Sequence, residues 1–377
     1  MAQTLYILNP LTLKRVHPIT KYQSFIWKPA YQETGSFEIV CDVSYFDFFQ
    51  NDFILEYPRD RNHFGIIQFV NKLREKDVSK LIIKGKMVSD VLSWRVAIDQ
   101  YEATNKSSTY ILEDLVNYNF ISPANEKRKM SNLIISSKDS TSLLDYTCEK
   151  GANVLEELLK ICKTTGEGLR VSDKLNGKLN VEIYSGVDRT YNQSANKRII
   201  LEQSKGTLKD IDFSIDTENY VNYGYIMGDN DSATGKPVET TYFEDVEQTG
   251  WDRREEYFSL TYISKTIQTE DQTVEIETPY YINMLKNECK SQMENLKVQK
   301  LLNCEMNLNS RFKYREDFNL GDIITVRDEE TGYSTDVRLI NVIESIGSDG
   351  EDISVILGDK SPLTFDKIKL IKERGLK

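Results

Sequence analysis

The sequence predicts a β-rich α+β protein of several domains. Three observations carry that prediction. A chain of 377 residues has room for two or three domains of about 150 residues each. Apolar residues alternate in short runs near both ends, the period of half-buried strands. Between these blocks the spacing changes to that of helices packed on strands. Hydrophobic residues make up 39% and charged residues 28% of the chain, a balance that suits a folded protein rather than a disordered one.

Residues 1–104 read as all-β. Leu5-Tyr6-Ile7, Ser36-Phe37-Glu38-Ile39-Val40 and Phe53-Ile54-Leu55 are short strand patterns, the last stopped by Tyr57-Pro58. His63-Phe64-Gly65-Ile66-Ile67-Gln68-Phe69-Val70 is strongly β-prone. The charged turn Arg74-Glu75-Lys76-Asp77 leads into Lys80-Leu81-Ile82-Ile83-Lys84-Gly85. Many short strands separated by turn signals indicate a barrel or sandwich.

Residues 105–205 read as α+β. Ile111, Leu112, Leu115 and Val116 fall at helical spacing after Ser107-Ser108-Thr109, which supplies N-cap residues. Leu155, Leu158, Leu159 and Cys162 form a second stripe, with Gly166 placed to stop that helix. Gly168-Leu169-Arg170-Val171 and Leu179-Asn180-Val181-Glu182-Ile183-Tyr184 follow as strands, and Asn176-Gly177 between them is a hairpin signal.

Residues 206–265 are mostly β, with Ile211, Phe213 and Ile215 alternating and Asn222-Tyr223-Gly224-Tyr225-Ile226-Met227-Gly228 forming a further strand. The polar stretch 229–238 reads as a loop. Thr278-Pro279 opens the longest helix, over 278–299, whose stripe is Ile282, Leu285, Cys289, Met293 and Leu296; the pattern fits packing on its own sheet. Residues 300–358 return to β. The signals are Leu320-Gly321-Asp322-Ile323-Ile324-Thr325-Val326, turns at Glu330-Thr331-Gly332 and Asp349-Gly350, and strands at 337–343 and 353–358. The basic stretch 367–377 reads as a short helix or tail.

Composition narrows the chemistry. The net charge of −11 argues against a sequence-reading DNA-binding protein, which needs clustered Lys and Arg. The apolar runs are far short of the roughly 20 residues of a membrane span, and Met1-Ala2-Gln3-Thr4 lacks the basic and apolar regions of a secretory signal. Cys41, Cys148, Cys162, Cys289 and Cys304 are odd in number and widely spaced. They read as buried small side chains in a reducing cytosol. With only His17 and His63 there is little material for a histidine metal site or a Ser-His-Asp triad. No phosphate-cradling glycine loop and no GxSxG elbow occurs. Asp229-Asn230-Asp231 resembles the opening of a calcium loop but lacks the later glycine and glutamate. Trp27, Trp94 and Trp251, with 21 tyrosines, could supply a saccharide platform, although such residues are more often core. No metal, cofactor or catalytic residue is assigned.

Four patterns in order carry a resemblance. They are Gly65-Ile66-Ile67 with Leu81-Ile82-Ile83-Lys84-Gly85 and Leu92-Ser93-Trp94-Arg95; Gly168-Leu169-Arg170-Val171 with Tyr184-Ser185-Gly186-Val187-Asp188-Arg189-Thr190; Asn219-Tyr220-Val221-Asn222-Tyr223-Gly224-Tyr225-Ile226-Met227-Gly228; and Asp317-Phe318-Asn319-Leu320-Gly321-Asp322-Ile323-Ile324-Thr325-Val326. Together, over about 65–358, the chain resembles the tail hub proteins of long-tailed bacteriophages, the siphovirus hub-like family.

The resemblance implies two related β-barrel domains with α+β peripheral domains. The first barrel would span 1–104 and the second, discontinuous, 206–233 and 301–360. Residues 105–205 and 234–300 would be peripheral, and 361–377 a tail. It also implies a homotrimer whose six barrels match a hexameric distal tail protein, with a tape-measure protein and receptor-binding or baseplate proteins as neighbours. Phage DNA would pass transiently through the opening, and the protein, made in the host cytoplasm, would reside at the virion tail tip. The chain would be structural, with no cofactor and no catalysis. A module binding host cell-wall saccharide, or a two-carboxylate glycoside hydrolase, are the alternatives. The sequence ends at Lys377, so lytic or receptor-binding activity is expected on another chain. Gly65, Gly228 and Gly321 are expected at backbone positions that oppose a side chain, and Asp188, Arg189 and Asp322 mark the motifs.

Overall fold

A computed structural model of the chain describes residues 3–75, 78–136, 142–175, 177–268, 273–294, 296–307, 310–330, 332–348 and 350–358. Lys76, Asp77, Asn176, Thr331, Asp349 and the basic stretch 367–377 lie outside the described residues.

The architecture is β-rich, with several sheets and three α-helices among the described residues. In the first block the strand Ser36–Asp42 turns Phe37, Ile39 and Cys41 inward and leaves the residues between them less buried. Its neighbours Tyr22–Lys28 and Val78–Met87 do the same from either side. Leu5, Ile7, Phe25, Trp27, Ile39, Leu81 and Ile83 close a core there; each such side chain contributes about 1.5–3 kcal/mol by leaving water. Pro18 lies in Arg15–Ile19, which pairs on one side with Leu5–Leu8 and ends the sheet. An edge is where a strand tolerates a residue without an N–H.

The first and last blocks share one sheet of 13 strands. Its hydrogen-bonded path runs from Leu208–Asp216 through Gln299–Met306, Gly350–Gly358 and Tyr333–Gly347 into Tyr22–Lys28. It continues through Ser36–Asp42, Val78–Met87, Phe64–Glu75, Ile54–Glu56 and Leu5–Leu8 to Arg15–Ile19. Glu344 opposite Trp27, Ser345 opposite Ile26 and Ile346 opposite Phe25 make the join. Among the described residues this path does not close into a ring. The last block has a separate core that includes Ile199, Leu201, Phe318, Ile324, Leu339, Val355 and Leu357.

Between the blocks, α1 (Ser108–Val116) and α2 (Val154–Thr165) pack with the sheet of Leu133–Ile135, Gly168–Leu175 and Lys178–Tyr184. Ser107 caps α1 by accepting the Tyr110 N–H at 3.2 Å. Asn153 caps α2 by accepting the Leu155 N–H at 3.1 Å, and Gly166, at φ +71°, ends it as its position suggested. The predicted stripes face inward: Ile111, Leu112, Leu115, Leu158 and Cys162 share one core with Leu169 and Val181.

A third unit is the sheet of Pro237–Tyr242, Tyr223–Asn230 and Glu255–Ser259, covered by α3 (Thr278–Glu294). Leu285, Cys289 and Met293 of its stripe are buried there. Strands extend into both ends of the stretch read as a loop, leaving residues 231–236 to turn between them. Asp231 closes that turn by accepting the N–H groups of Ala233 (3.1 Å) and Thr234 (3.0 Å). No helix among the described residues is long and apolar enough to cross a membrane.

Candidate functional site

The place where the pieces of the chain meet is built around Tyr31, just after the strand Tyr22–Lys28. Its backbone N–H donates to Ile340 O at 2.9 Å, and its carbonyl accepts from Leu169 N at 3.1 Å. One residue thus hydrogen-bonds to the last block on one side and to the middle block on the other. The phenol lies 3.2 Å from the carbonyls of Gly166 and Tyr184, and accepts the N–H of Gly186 at 3.2 Å. Burial pushes the Tyr31 phenol up to about 12, so it keeps the proton it donates. The ring lies against Gly168 and Gly321, where an ideal Cβ on either would fall 2.3 Å from a ring carbon. Only glycine fits at either place without displacing the ring.

Asp322 gathers the second and fourth sequence motifs. Its Oδ1 accepts from Val187 N at 2.8 Å, and its Oδ2 accepts from Arg189 Nε at 2.6 Å and from Asn319 N at 2.9 Å. The segment after Tyr184 then runs beside Ile323–Asp328: Ile323 N donates to Val187 O and Arg189 N to Ile323 O. Gly186 passes so close to the Gly321 carbonyl that a Cβ would fall 1.8 Å from its oxygen. Asp188 lies in the same segment, its backbone bridged to Ile323, while its exposed side chain shapes the local turn by accepting the Thr190 N–H at 2.9 Å.

A buried charge network lies at the sheet join. Asp60 accepts from Trp27 Nε1 at 2.9 Å, from Arg315 Nη2 at 3.2 Å, and faces His63 Nδ1 at 3.0 Å. Arg315 also holds Glu344 with both terminal nitrogens, and Tyr57 donates to Glu344 Oε2 at 3.3 Å. Burial works to raise the Asp60 carboxyl, but His63, Arg315 and Trp27 outweigh it and hold the group below the usual carboxylate range. At Glu344 burial prevails over Arg315, and its carboxyl is raised. Arg315 itself sits at φ +70°, a backbone state that costs about 1–3 kcal/mol and persists because the guanidinium is fastened to both blocks. Nothing in the sequence marks this set; Asp60 and Arg315 are 255 positions apart.

The three glycines differ in what constrains them. Gly321 has φ +93°. Gly65 and Gly228 lie within strands and lack positive φ, so the expectation of an unusual backbone is corrected at both: their constraint is space. A Cβ on Gly65 would strike the Phe37 ring at 2.4 Å, and one on Gly228 would strike Leu285 at 2.6 Å and Tyr281 at 2.7 Å. Gly228 is thereby where α3 seats on its sheet. Trp27 is fully buried in the core, which removes it from any surface platform with Trp94 and Trp251. The calcium-like loop already holds an ammonium: Lys265 Nζ lies 2.7 Å from Asp231 Oδ2 and also contacts Glu275. Among the described residues no group of three or more His, Cys, Asp or Glu is arranged to hold a metal. The five cysteines are buried and unpaired.

These contacts fasten segments together. Known proteins agree in fold. The tail protein from Neisseria meningitidis MC58 matches with a TM-score of 0.59 at 14% identity, over 95% of this chain and 97% of that one. Prophage tail protein gp18 from Listeria monocytogenes EGD-e matches at 0.58 and 11%, over 99% of each chain. The 43 kDa tail protein of prophage MuSo2 from Shewanella oneidensis matches at 0.54 and 9%, over 94% and 96%. No curated protein sequence matches the chain. The fold is therefore that of phage tail proteins, as the four motifs suggested. A family model described as Siphovirus ReqiPepy6 Gp37-like protein matches residues 4–359, and the chain belongs to that family.

Proposed function

We propose that the chain is a structural hub of the tail tip. Three copies would form a ring that caps the tail tube, adapts threefold to sixfold symmetry beneath a hexameric distal tail protein, and opens for DNA. The observation that carries this reading is the sheet join. Two β blocks, each with its own core, are locked in register at Trp27 and Glu344 and bolted by the Asp60–Arg315–Glu344 network. A ring needs that kind of unit: two strand-built modules held at a fixed angle, so that three chains offer six comparable faces. Residues 1–104, with 206–233 and 301–360, would supply the two barrel-like modules; 105–205 and 234–300 would lie outside them. The net charge of −11 suits a wall past which phosphate slides without sticking. Light scattering of the purified chain over a range of concentrations tests this, with and without the distal tail protein. The expected species is a trimer. A chain that stays monomeric in both conditions defeats the proposal.

A second reading, binding of wall saccharide, has one observation in its favour. Trp251, 97% exposed, lies near the strand carrying exposed Tyr257, which pairs with exposed Tyr225. Retention on cell-wall polymer lost in Trp251→Ala would support it.

A further inference from the structure

The first and last blocks repeat one pairing scheme. In the first, Tyr22–Lys28, Ser36–Asp42, Val78–Met87, Phe64–Glu75 and Ile54–Glu56 pair in that order, each antiparallel to the next. In the last, Leu208–Asp216, Gln299–Met306, Gly350–Gly358, Tyr333–Gly347 and Ile323–Asp328 do the same. The registers agree as well. Ile67 opposite Gly85 and Phe69 opposite Lys84 bracket a bulge at Gln68. Leu339 opposite Leu357 and Asn341 opposite Ile356 bracket one at Ile340. Ile67 N donates to Phe53 O at 2.8 Å, as Leu339 N does to Asp322 O. In this alignment Lys72, Leu73 and Arg74 stand where Glu344, Ser345 and Ile346 do, and Phe213, Asp212 and Ile211 stand where Trp27, Ile26 and Phe25 do.

One half of this symmetry is left open. In the last block, Glu344, Ser345 and Ile346 take the strand Tyr22–Lys28 at the sheet join. Tyr31 N to Ile340 O and Val342 N to Pro29 O extend the contact, and Ile340 and Asn341 are left 6% and 2% exposed. In the first block, Phe64–Glu75 has Val78–Met87 along one side, but on the other its pairing reaches only Ile67. Among the described residues no strand continues beside Phe69–Glu75 on that side. Gln68 and Phe69, the counterparts of Ile340 and Asn341, are exposed, Phe69 at 49%. Leu208–Asp216, the counterpart of Tyr22–Lys28, ends the sheet, with Gln299–Met306 as its one strand partner among the described residues. Each chain therefore holds one finished join and the two halves of a second, and open strand edges are templates for pairing with another chain.

We propose that the two halves meet between copies of this chain. Leu208–Asp216 of one copy adds antiparallel to Phe64–Glu75 of the next, with Leu73 opposite Asp212 of its neighbour, as Ser345 lies opposite Ile26 within the chain. The occupant is a second copy because the strand that fills the equivalent place internally, Tyr22–Lys28, has its counterpart in Leu208–Asp216. The two surfaces differ, so the contact is head to tail, and it closes into a ring if the rotation allows and runs on as a filament if it does not. Joins within and between chains alternate around that ring, and Phe69 is covered as Asn341 is. The tail-hub reading supplies only the number three; the register rests on the repeated pairing.

The test is disulfide cross-linking of the full chain, alone and with the distal tail protein. Residues opposed in an antiparallel pair lie about 4.5–5.5 Å apart at Cα, within the span of a disulfide, and the native cysteines are buried. A tagged Leu73→Cys chain mixed with an untagged Asp212→Cys chain is expected to give a mixed cross-linked pair on oxidation. Gln68→Cys with Asp212→Cys, about 17 Å out of register, is expected to give none. Phe69→Asp is expected to melt with the parent, since Phe69 is exposed, and to raise the concentration needed for assembly about tenfold or more; it carries the test if a cysteine variant folds poorly. A trimer by light scattering without the mixed cross-link overturns this interface and leaves the hub reading standing. Leu73→Cys chains that link to one another, or assembly indifferent to Phe69→Asp, also overturn it. In the double variant Leu73→Cys with Asp212→Cys, a largest covalent species of three chains supports both readings. A ladder running past three supports the interface and removes the threefold hub. A chain monomeric in both conditions removes both.

Discussion

The ring of Tyr31 occupies the space that a side chain on Gly321 would need: an ideal Cβ on Gly321 falls 2.3 Å from Tyr31 Cε2. Gly321 also holds φ +93°. Two penalties therefore fall on Gly321→Ala, about 1 kcal/mol or more for the backbone and about 1–3 kcal/mol for overpacking. The expected loss is about 3 kcal/mol, read as a shift of the urea midpoint. Gly235→Ala is the control. It has φ +66° with nothing within 4 Å of the added carbon, and should lose only the backbone part. Equal losses in the two variants would show that the Tyr31 contact does not matter.

Local pattern made much of this fold legible. Gly166 was legible as the stop of α2, and the stripes on α2 and α3 reported their buried faces, because periodicity records which side of an element leaves water; the cap at Asn153 went unread. The motifs around Asp188-Arg189 and Gly321-Asp322 were visible as turns. That Arg189 reaches Asp322 was not, since a turn signal carries no address. The strand Tyr22–Lys28 went unread although it makes the join between the blocks. Its partner Tyr333–Gly347 lies some 300 positions away, and pairing between distant strands leaves no mark in either one alone. Arg315 stands in the run Arg315-Glu316-Asp317, which looks like solvated surface. Burial of its guanidinium depends on Asp60 and Glu344, which only the fold brings near.

Asp322 accepts three hydrogen bonds, one of them from a guanidinium. Asp322→Ala leaves two backbone N–H groups and Arg189 without their acceptor in a closed site. The expected cost is about 3 kcal/mol, against about 1–2 kcal/mol for Arg189→Ala, which leaves the two N–H bonds intact. In a double-mutant cycle the pair should show a coupling of about 1 kcal/mol or more. Strict additivity would mean that Arg189 contributes nothing through Asp322.

Arg315→Met strips the cation from two buried carboxylates, a change that costs about 3–5 kcal/mol where the partners stay ionised. The pH dependence has a definite sign. Glu344 already has a raised carboxyl, and losing Arg315 raises it further. A group raised on folding stabilises below its unfolded value and loses that contribution as pH climbs through its folded value. The gap between parent and variant should therefore be widest at pH well above the raised folded value of Glu344, narrow as pH falls through that value and Glu344 takes up a proton, and be narrowest once pH drops below the ordinary glutamate value of 4.5. Urea melts of both proteins across that range measure it. A gap that stays constant with pH would remove Glu344 from the explanation.

Among the described residues the two outer units are joined by one close ion pair between helices: Lys160 Nζ on α2 lies 2.6 Å from Glu288 Oε2 on α3. Tyr262 supports it by donating to Glu288 Oε1 at 2.9 Å, and Asn287 Nδ2 adds a bond to Asp145 O at 3.0 Å. Burial works to raise the Glu288 carboxyl, yet Lys160, Gln292 and Tyr262 outweigh it and leave it below its ordinary value of 4.5. A depressed acid stabilises above its unfolded value and loses that contribution as pH falls through its folded one. Glu288→Gln keeps the shape and removes the charge, so it should cost about 1–3 kcal/mol at neutral pH and progressively less in acid. Because α3 is fastened to its own sheet through Gly224 and Gly228, the loss should appear locally. Amide exchange should quicken along the facing sides of α2 and α3 while the strands around Trp27 and Glu344 keep their protection. Uniform quickening across the chain would instead mean that the outer units and the central sheet unfold as one.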